Sequence, residues 1–92
     1  MIYSFQHKGL RLFYETGSVQ GIQAKHADRL NRILMLLDVS KSPRDLQIES
    51  FRLHRLKGAK SETWSIWVSG NWRVTFRFRG TNVELVNYVD YH

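Results

Sequence analysis

The residues of this chain best suited to chemistry are proton-transferring and cationic side chains in its second half. They are His54, Lys57, Arg73, Asp90, Tyr91 and His92. Cleavage of an RNA phosphodiester needs a base for the 2′-hydroxyl proton, an acid for the leaving 5′-oxygen, and cations for the charge of the transition state. Histidine, with a reference pKa of about 6.5, can exchange protons at neutral pH, and lysine and arginine can hold phosphate oxygens. These residue types permit acid-base cleavage of RNA, although none of them indicates it alone.

Other kinds of chemistry find less support. The sequence contains no cysteine, which excludes disulfides, thiolate metal sites and thiol nucleophiles. No two histidines have the i, i+4 spacing of a zinc protease helix, and no glycine-rich phosphate loop or serine elbow is present. We therefore expect neither a metal nor a cofactor. His7 and His26 are predicted to be inert residues on or near helix surfaces.

The balance of charge favours a polyanionic partner. Fourteen lysines and arginines against eight acidic residues give a net charge of +6 and a pI of about 10.1. The basic residues concentrate between Arg52 and Arg79, where seven of them accompany one acidic residue, Glu62. Charge alone is equally compatible with an ordinary solvated surface. The amino terminus does not resemble a signal peptide and the longest apolar run, Ile33 to Leu37, is too short to cross a bilayer, so we expect a cytoplasmic protein with no membrane partner.

Apolar residues at helical spacing predict two main helices. The first runs from Lys8 to Glu15 and is ended by Gly17. The second runs from Ala24 to Val39, and its apolar stripe comprises Ala27, Leu30, Ile33, Leu34 and Leu37. In Ser42-Pro43-Arg44-Asp45, a capping serine and a proline at the first helical position predict a third helix of one or two turns over Leu46 and Ile48.

Alternating residues predict the sheet. A short strand is expected over residues 2 to 6, and three further strands over 64–68, 72–78 and 83–88 are separated by turn sequences around Gly70 and Gly80. The predicted fold class is α+β: one domain over residues 1–92, with a twisted, mostly antiparallel sheet of about four strands and two to three helices packed on one face. The opposite face would carry Arg73, Thr75, Arg77 and Arg79. Candidate contacts to RNA or the ribosome are Arg55, Lys60, Asn71, Arg77 and Arg79.

Motifs along the whole chain resemble those of HigB-type toxins of the RelE/ParE superfamily, found in type II toxin-antitoxin modules. They are Met1-Ile2, Ser4-Phe5, Leu53-His54, Leu56-Lys57-Gly58, Trp64-Ser65-Ile66, Asn71-Trp72-Arg73-Val74-Thr75-Phe76, Asn87-Tyr88 and Asp90-Tyr91-His92. The "NWR" strand start and the "DYH" ending are specific when they occur together. The turn before "NWR" departs from a related sequence, because Ser69-Gly70 stands where that sequence has a basic residue, and one phosphate or ribosome contact is expected to be weaker.

The resemblance implies a RelE-like microbial ribonuclease fold and metal-independent cleavage of messenger RNA in the A site of the 70S ribosome, against the 30S subunit and its rRNA. It also implies neutralisation by a HigA-like antitoxin with a helix-turn-helix domain, with operator DNA contacted only through the complex. Asp90 and His92 would transfer protons with help from His54, in an order that stays open. Lys57 and Arg73 would neutralise the scissile phosphate, and Tyr91 would stack on or orient a base.

Two alternatives remain open at this point. A ParE-like relative would share the fold but poison DNA gyrase by binding, and would not need His54, Lys57, Arg73 and His92. A non-toxic RNA-binding module would dock its basic face on ribosomal RNA. Binding of that kind would be lost with added salt and accompanied by no cleavage at any salt concentration.

Overall fold

The computed structural model describes residues 1–60 and 62–91. Two α-helices come first, α1 (Lys8–Thr16) and α2 (Ala27–Val39), and four strands follow: β1 (His54–Arg55), β2 (Trp64–Ser69), β3 (Trp72–Arg79) and β4 (Asn82–Asp90). Single 3₁₀ turns lie at Ala24–His26, Pro43–Leu46, Glu49–Phe51 and Gly58–Lys60. The predicted α+β class, the two main helices and the three antiparallel strands of the meander are confirmed.

The ends of α1 follow from its flanking residues. The Nδ1 atom of His7 accepts a hydrogen bond from the backbone N–H of Leu10 at 2.9 Å, so a histidine does the capping work of a serine or aspartate. The helix ends at Gly17, whose φ of 81° is the left-handed conformation that glycine adopts without strain. The Gly17 N–H then satisfies the carbonyl of Phe13 at 2.8 Å.

The third predicted helix is only partly correct. Pro43–Leu46 forms a 3₁₀ turn of four residues, which ends before Ile48, and Ser42 makes no side-chain cap. The carboxylate of Asp45 instead accepts a hydrogen bond from the backbone N–H of Lys41 at 2.9 Å. This bond fastens the turn to the chain before it, and burial of Leu46 holds the segment against the core.

The sheet has the order β1-β2-β3-β4, and all its neighbouring strands are antiparallel. The amino-terminal segment joins β4 at the outer edge, but only through isolated parallel bridges of Ile2 with Val83 and Phe5 with Val86. The expectation of a regular strand over residues 2 to 6 is therefore wrong. The ladder breaks beside Leu85, whose backbone N–H bonds to the Ser4 hydroxyl at 2.9 Å rather than to the main chain.

Leu85 also changes which way the residues of β4 face. Its φ of 56° is left-handed, and the register of β3 with β4 shifts at this point, as in a β-bulge. Val83 and Val86, three residues apart, both lie in the core with 0% exposure. Strict alternation would have pointed Glu84 into the core instead of Val83. The bulge turns Glu84 to the opposite face, where it lies across from Arg77.

One face of the sheet is covered by α2. Ile66, Val74 and Tyr88 form one cross-strand row on this face and are all buried. The residues of α2 that pack with them in one core cluster are Leu30, Ile33, Leu34 and Leu37. The predicted apolar stripe of the second helix is thus confirmed at the four leucine and isoleucine positions. We call the opposite side of the sheet, which carries the neighbours of this row, the distal face.

Candidate active site on the distal sheet face

Two cross-strand rows define the distal face. His54 of β1, Ser65 of β2, Thr75 of β3 and Asn87 of β4 are register partners in one row. The adjacent row consists of Trp67, Arg73 and Val89. Because register partners in an antiparallel sheet project to the same side, His54 and Arg73 share this face although they lie two strands apart.

A cavity of 290 Å³ lies on the distal face beneath the segment that connects β1 to β2. Leu56 and Lys60 of that segment form one wall, Thr75 and Asn87 form the floor, and Tyr91 closes the far end. Arg77 also reaches the lining. The cavity therefore brings together three of the predicted residues, namely Lys60, Arg77 and Tyr91.

Arg73 is held in place by the backbone of its own hairpin. Its Nη1 atom donates to the carbonyl oxygens of Gly70 at 2.8 Å and Trp72 at 3.0 Å. Among the described residues no carboxylate lies within ion-pair distance of this guanidinium. Since both bonds use one nitrogen, Nε and Nη2 retain N–H groups that can bind an anion in the forked geometry that suits phosphate. Arg73 is thus a cation that is fixed in position and has no ion-pair partner among the described residues.

The imidazole of His54 is exposed and has a defined orientation. Its Nδ1 atom lies 3.1 Å from the carbonyl oxygen of Arg52. A carbonyl can only accept, so this bond places an N–H on Nδ1, while Nε2 has no hydrogen-bond partner among the described residues. Lys57 is exposed two residues after β1, immediately before Gly58 with its φ of 74°. Both side chains are accessible to a substrate.

The carboxy-terminal end is tied to the sheet by Asn71. The backbone N–H of Tyr91 donates to the Asn71 carbonyl at 2.9 Å, which carries the chain past the end of β4 toward the distal cavity. Asp90 is exposed and pairs with Trp72 in the register, so its side chain leaves the strand on the α2 side of the sheet, at the exposed end of β4. Tyr91 is 42% exposed. His92 lies outside the described residues, so its predicted role stays a prediction.

The arginines at the far end of β3 are partly neutralised. Arg77 forms ion pairs with Glu62 at 3.2 Å and with Glu84 at 3.6 Å, and Arg79 lies 3.9 Å from Glu84. The predicted contacts of Arg77 and Arg79 with RNA would have to compete with these carboxylates. Arg55 lines a neighbouring depression with the same groups.

His26, which was predicted to be inert, has a structural role, as His7 has at the start of α1. His26 is not on a helix surface, because it is only 4% exposed and its Nδ1 atom lies 2.6 Å from the Tyr88 hydroxyl. Burial, and secondarily the charge of Lys25, lowers the pKa of His26. Burial has the opposite effect on Tyr88, because it raises the pKa of a phenol. A backbone hydrogen bond at Gln23 lowers the pKa of Tyr88, and the charge of Asp90 raises it. No local pattern marked this pair, since its members are 62 residues apart.

Neither a metal centre nor a membrane span is found in the part of the chain that the structure describes. Within residues 1–60 and 62–91, no group of three or more histidine and acidic side chains is arranged to hold an ion. No helix of that part is long and apolar enough to cross a membrane.

Comparison with known proteins identifies the family. Residues 3–92 match the model of the HigB-like toxins, described as RelE-like toxins of the type II toxin-antitoxin system HigB. The chain is 42% identical over 92 residues to Endoribonuclease HigB of Proteus vulgaris, which is the full length of both. A solved YoeB/ParE toxin from Agrobacterium tumefaciens has a similar fold, with a TM-score of 0.57 over all of this chain and 99% of that one, at 14% identity. The chain therefore belongs to the HigB-like toxin family, as the motifs predicted.

Proposed function

We propose that this chain is the endoribonuclease toxin of a type II toxin-antitoxin pair and that it cleaves messenger RNA with the distal face and the adjoining end of β4. The observation that carries the proposal is Arg73, a guanidinium fixed by two carbonyls and free of carboxylate partners among the described residues, on the same face as the exposed imidazole of His54. A full-length relative at 42% identity bears the name of an endoribonuclease, which supports the same reaction.

In the proposed mechanism the scissile phosphate lies against Arg73 and Lys57. Their charges stabilise the negative charge that grows on the non-bridging oxygens as the 2′-oxygen attacks phosphorus. A base removes the 2′-hydroxyl proton and an acid protonates the 5′-oxygen as its bond to phosphorus breaks. Asp90 and His92 are the proposed proton-transfer groups, and the free Nε2 of His54 can assist as a base. No metal takes part.

Tyr91 is suited to the base next to the cleaved bond. Tyr91 is 42% exposed and lines the distal cavity, and its backbone N–H is fixed to the Asn71 carbonyl. A ring held in this way can stack on an unpaired base at little cost in conformational freedom. The RNA on either side would be contacted by Lys60, Arg55 and the exposed side chain of Asn71. Arg77 and Arg79 would add contacts once their ion pairs with Glu62 and Glu84 break.

We further propose that the substrate is messenger RNA in the A site of the 70S ribosome and that the toxin acts in the cytoplasm. A HigA-like antitoxin with a helix-turn-helix domain would neutralise it, and operator DNA would be contacted only through that complex. A net charge of +6 suits association with ribosomal RNA. The presence of an antitoxin partner follows the family's description as toxins of toxin-antitoxin systems.

The proposal is tested by mapping 5′ ends on a defined message in a reconstituted translation reaction. Wild-type protein should create new ends within codons at the A site, and the His92→Gln variant should create none while still binding the antitoxin. The same message without ribosomes shows whether cleavage depends on translation. If wild-type protein produces no new ends but inhibits gyrase supercoiling, the chain is a binding toxin without nuclease activity.

A further inference from the structure

A stacked arginine and tryptophan lie beside the residues described above and take no part in the proposed mechanism. The guanidinium carbon of Arg52 is 4.2 Å from the centre of the Trp67 ring. Trp67 is half-buried and Arg52 is exposed, so the ring supports the guanidinium from below while the outer surface of the guanidinium faces solvent. We call these two side chains the Arg52–Trp67 platform.

The platform lies at an uncovered stretch of β2. The short strand β1 pairs only with Trp64 and Ser65, so the sheet has no further strand beside Trp67. The indole Nε1 donates to the Gly70 carbonyl at 3.0 Å, the same oxygen that accepts from Arg73 Nη1 at 2.8 Å. Trp67 and Arg73 are also register partners. The platform is therefore fixed to the same turn as the proposed phosphate-binding arginine.

The arginines around Trp67 form no ion pair among the described residues. Arg29 approaches the same ring at 5.4 Å, and its guanidinium donates to the Trp67 and Ser50 carbonyls. Burial lowers the pKa of Arg29, and the charges of Arg32 and Arg52 lower it further. In residues 1–60 and 62–91 no carboxylate forms an ion pair with Arg29 or Arg52. Such a cluster raises its own electrostatic energy unless an anion binds to it.

The two cations have different tasks. Arg29 is committed to backbone carbonyls and ties α2 to β2, so it contributes mainly long-range charge. Arg52 has the tryptophan ring as its contact and keeps its N–H groups for a ligand. A shallow depression of 520 Å³, lined by Ile48, Glu49 and Ser50 as well as the platform, adjoins it. Because Glu49 would repel a phosphate on that side, the anion belongs toward Arg73 and an uncharged base belongs in the depression.

We propose that the Arg52–Trp67 platform binds one nucleotide of single-stranded RNA next to the cleaved bond, with its base stacked on the Arg52 guanidinium and its phosphate between Arg52 and Arg73. Stacked aromatic and arginine planes beside a cationic groove are the usual means of holding unpaired RNA without reading its sequence. This proposal rests on the proposed function, because it places the platform on the path of the cleaved strand.

The test compares Arg52→Ala with wild type and with Arg11→Ala, a matched control. Arg11 is exposed on α1, which contacts the amino-terminal and β4 edge of the sheet through pairs such as Phe5–Tyr14, away from β1. In the reconstituted translation assay Arg52→Ala should raise KM about tenfold with kcat within about twofold, the size expected for one lost stacking contact. Arg11→Ala should leave both constants unchanged. Arg52→Lys, which keeps the charge and loses the stack, should fall between.

Crosslinking tests RNA binding by the platform separately from the proposed ribonuclease activity. A message carrying 4-thiouridine beside the cleaved position should crosslink to the segment of residues 48–52, which lines the depression, in wild type and not in Arg52→Ala. If wild type cleaves the message, KM is unchanged in Arg52→Ala and no crosslink forms, the platform does not bind RNA although the protein is a ribonuclease. A crosslink without cleavage would overturn the ribonuclease and keep the platform. If Arg52→Ala binds the antitoxin more weakly but has the crosslink and the KM of wild type, the platform binds the protein partner and not RNA.

Discussion

On the α2 side of the sheet, His26 and Tyr88 are each 4% exposed and share a hydrogen bond of 2.6 Å. On the distal side, His54 and Tyr91 are exposed, and each is held by the main chain at one point. The buried pair satisfies its own polar atoms, whereas the exposed pair keeps a ring nitrogen and a ring face for a ligand. Burial therefore decides which polar atoms of a histidine or a tyrosine remain available to a ligand.

The two regions meet in β4. Tyr88 points into the aromatic cluster beneath α2, where its ring stacks on Trp72 at 4.4 Å. Three residues later, Tyr91 lines the distal cavity. The buried side thus fixes the strand whose end supplies the proposed catalytic residues. Changes on the buried side should therefore alter stability, and changes on the distal side should alter activity in a protein that stays folded.

The largest expected effect is on the distal side. Arg73→Ala should reduce the rate of message cleavage by roughly 10² to 10³, because one fixed cation at the developing charge is lost. Arg73→Lys should recover part of the rate. The unfolding midpoint in urea should change little, and Arg44→Ala, at an exposed arginine on the Pro43–Leu46 turn, should cleave normally. A cleavage rate for Arg73→Ala within threefold of wild type would remove Arg73 from the mechanism.

The buried side should respond in stability. Trp72→Ala removes a ring that stacks on Tyr88 and contacts His26 edge-on at 5.8 Å, and it should lower the free energy of unfolding by about 3 kcal/mol. Val39→Ala, at an apolar side chain that is 70% exposed, is the control and should change it by less than about 0.5 kcal/mol. Equal unfolding midpoints for the two variants would show that the Trp72 ring does not support the fold.

Acid should weaken the buried side specifically. The pKa of His26 is lowered below 6.5 in the folded chain, so the unfolded chain takes up a proton more readily, and stability should fall as pH decreases below about 6.5. Urea unfolding at pH 7.5 and 5.5 measures this loss. His26→Asn, which keeps an N–H for Tyr88 but does not titrate, should reduce the difference between the two pH values. An undiminished difference would assign the acid sensitivity elsewhere, with His7, whose pKa burial also lowers, as the next residue to change.

The smallest effect is expected at the end of β3. Glu84→Gln removes the carboxylate that Arg77 and Arg79 share, and should change the free energy of unfolding by less than about 1 kcal/mol because these ion pairs are partly exposed. Arg79 then loses its ion pair and Arg77 keeps only the one with Glu62, so if these arginines contact RNA, affinity for the programmed ribosome should rise a few-fold and depend more steeply on salt. Unchanged affinity would show that Arg77 and Arg79 lie off the RNA path.

The sequence predicted those features of the fold that local patterns encode. The stripe of α2 and the alternation of β2 and β3 are visible in short windows, since each residue's burial depends on the period of its own element. Leu85 could not be predicted, because its left-handed conformation depends on Val83 and Val86 both entering the core. For the same reason the partnership of Glu84 with Arg77 was missed. The Ser42 cap was predicted from a motif, but Asp45 bonds to Lys41 instead.

The candidate site was predictable as a set of residues and not as a geometry. The proposed catalytic residues came from motifs at both ends of the strand region, and their roles stay predictions. The register that aligns His54 with Ser65 and Arg73 with Trp67 depends on the lengths of the connecting segments. The buried position of His26 depends on a contact with Tyr88. The Arg52–Trp67 platform depends on the turn of the chain at Glu49–Phe51. None of these contacts can be predicted from a local sequence pattern.

In the proposed mechanism the 2′-hydroxyl of the RNA substrate attacks the scissile phosphorus at the distal face. The direct measurement uses a message with a single 2′-deoxynucleotide at the mapped cleavage position, translated with wild-type toxin beside the unmodified message. The unmodified message should be cut to a fragment ending in a 2′,3′-cyclic phosphate, and the deoxy position should not be cut. Cleavage at the deoxy position at the same rate would contradict the mechanism, because no 2′-oxygen would be available to attack.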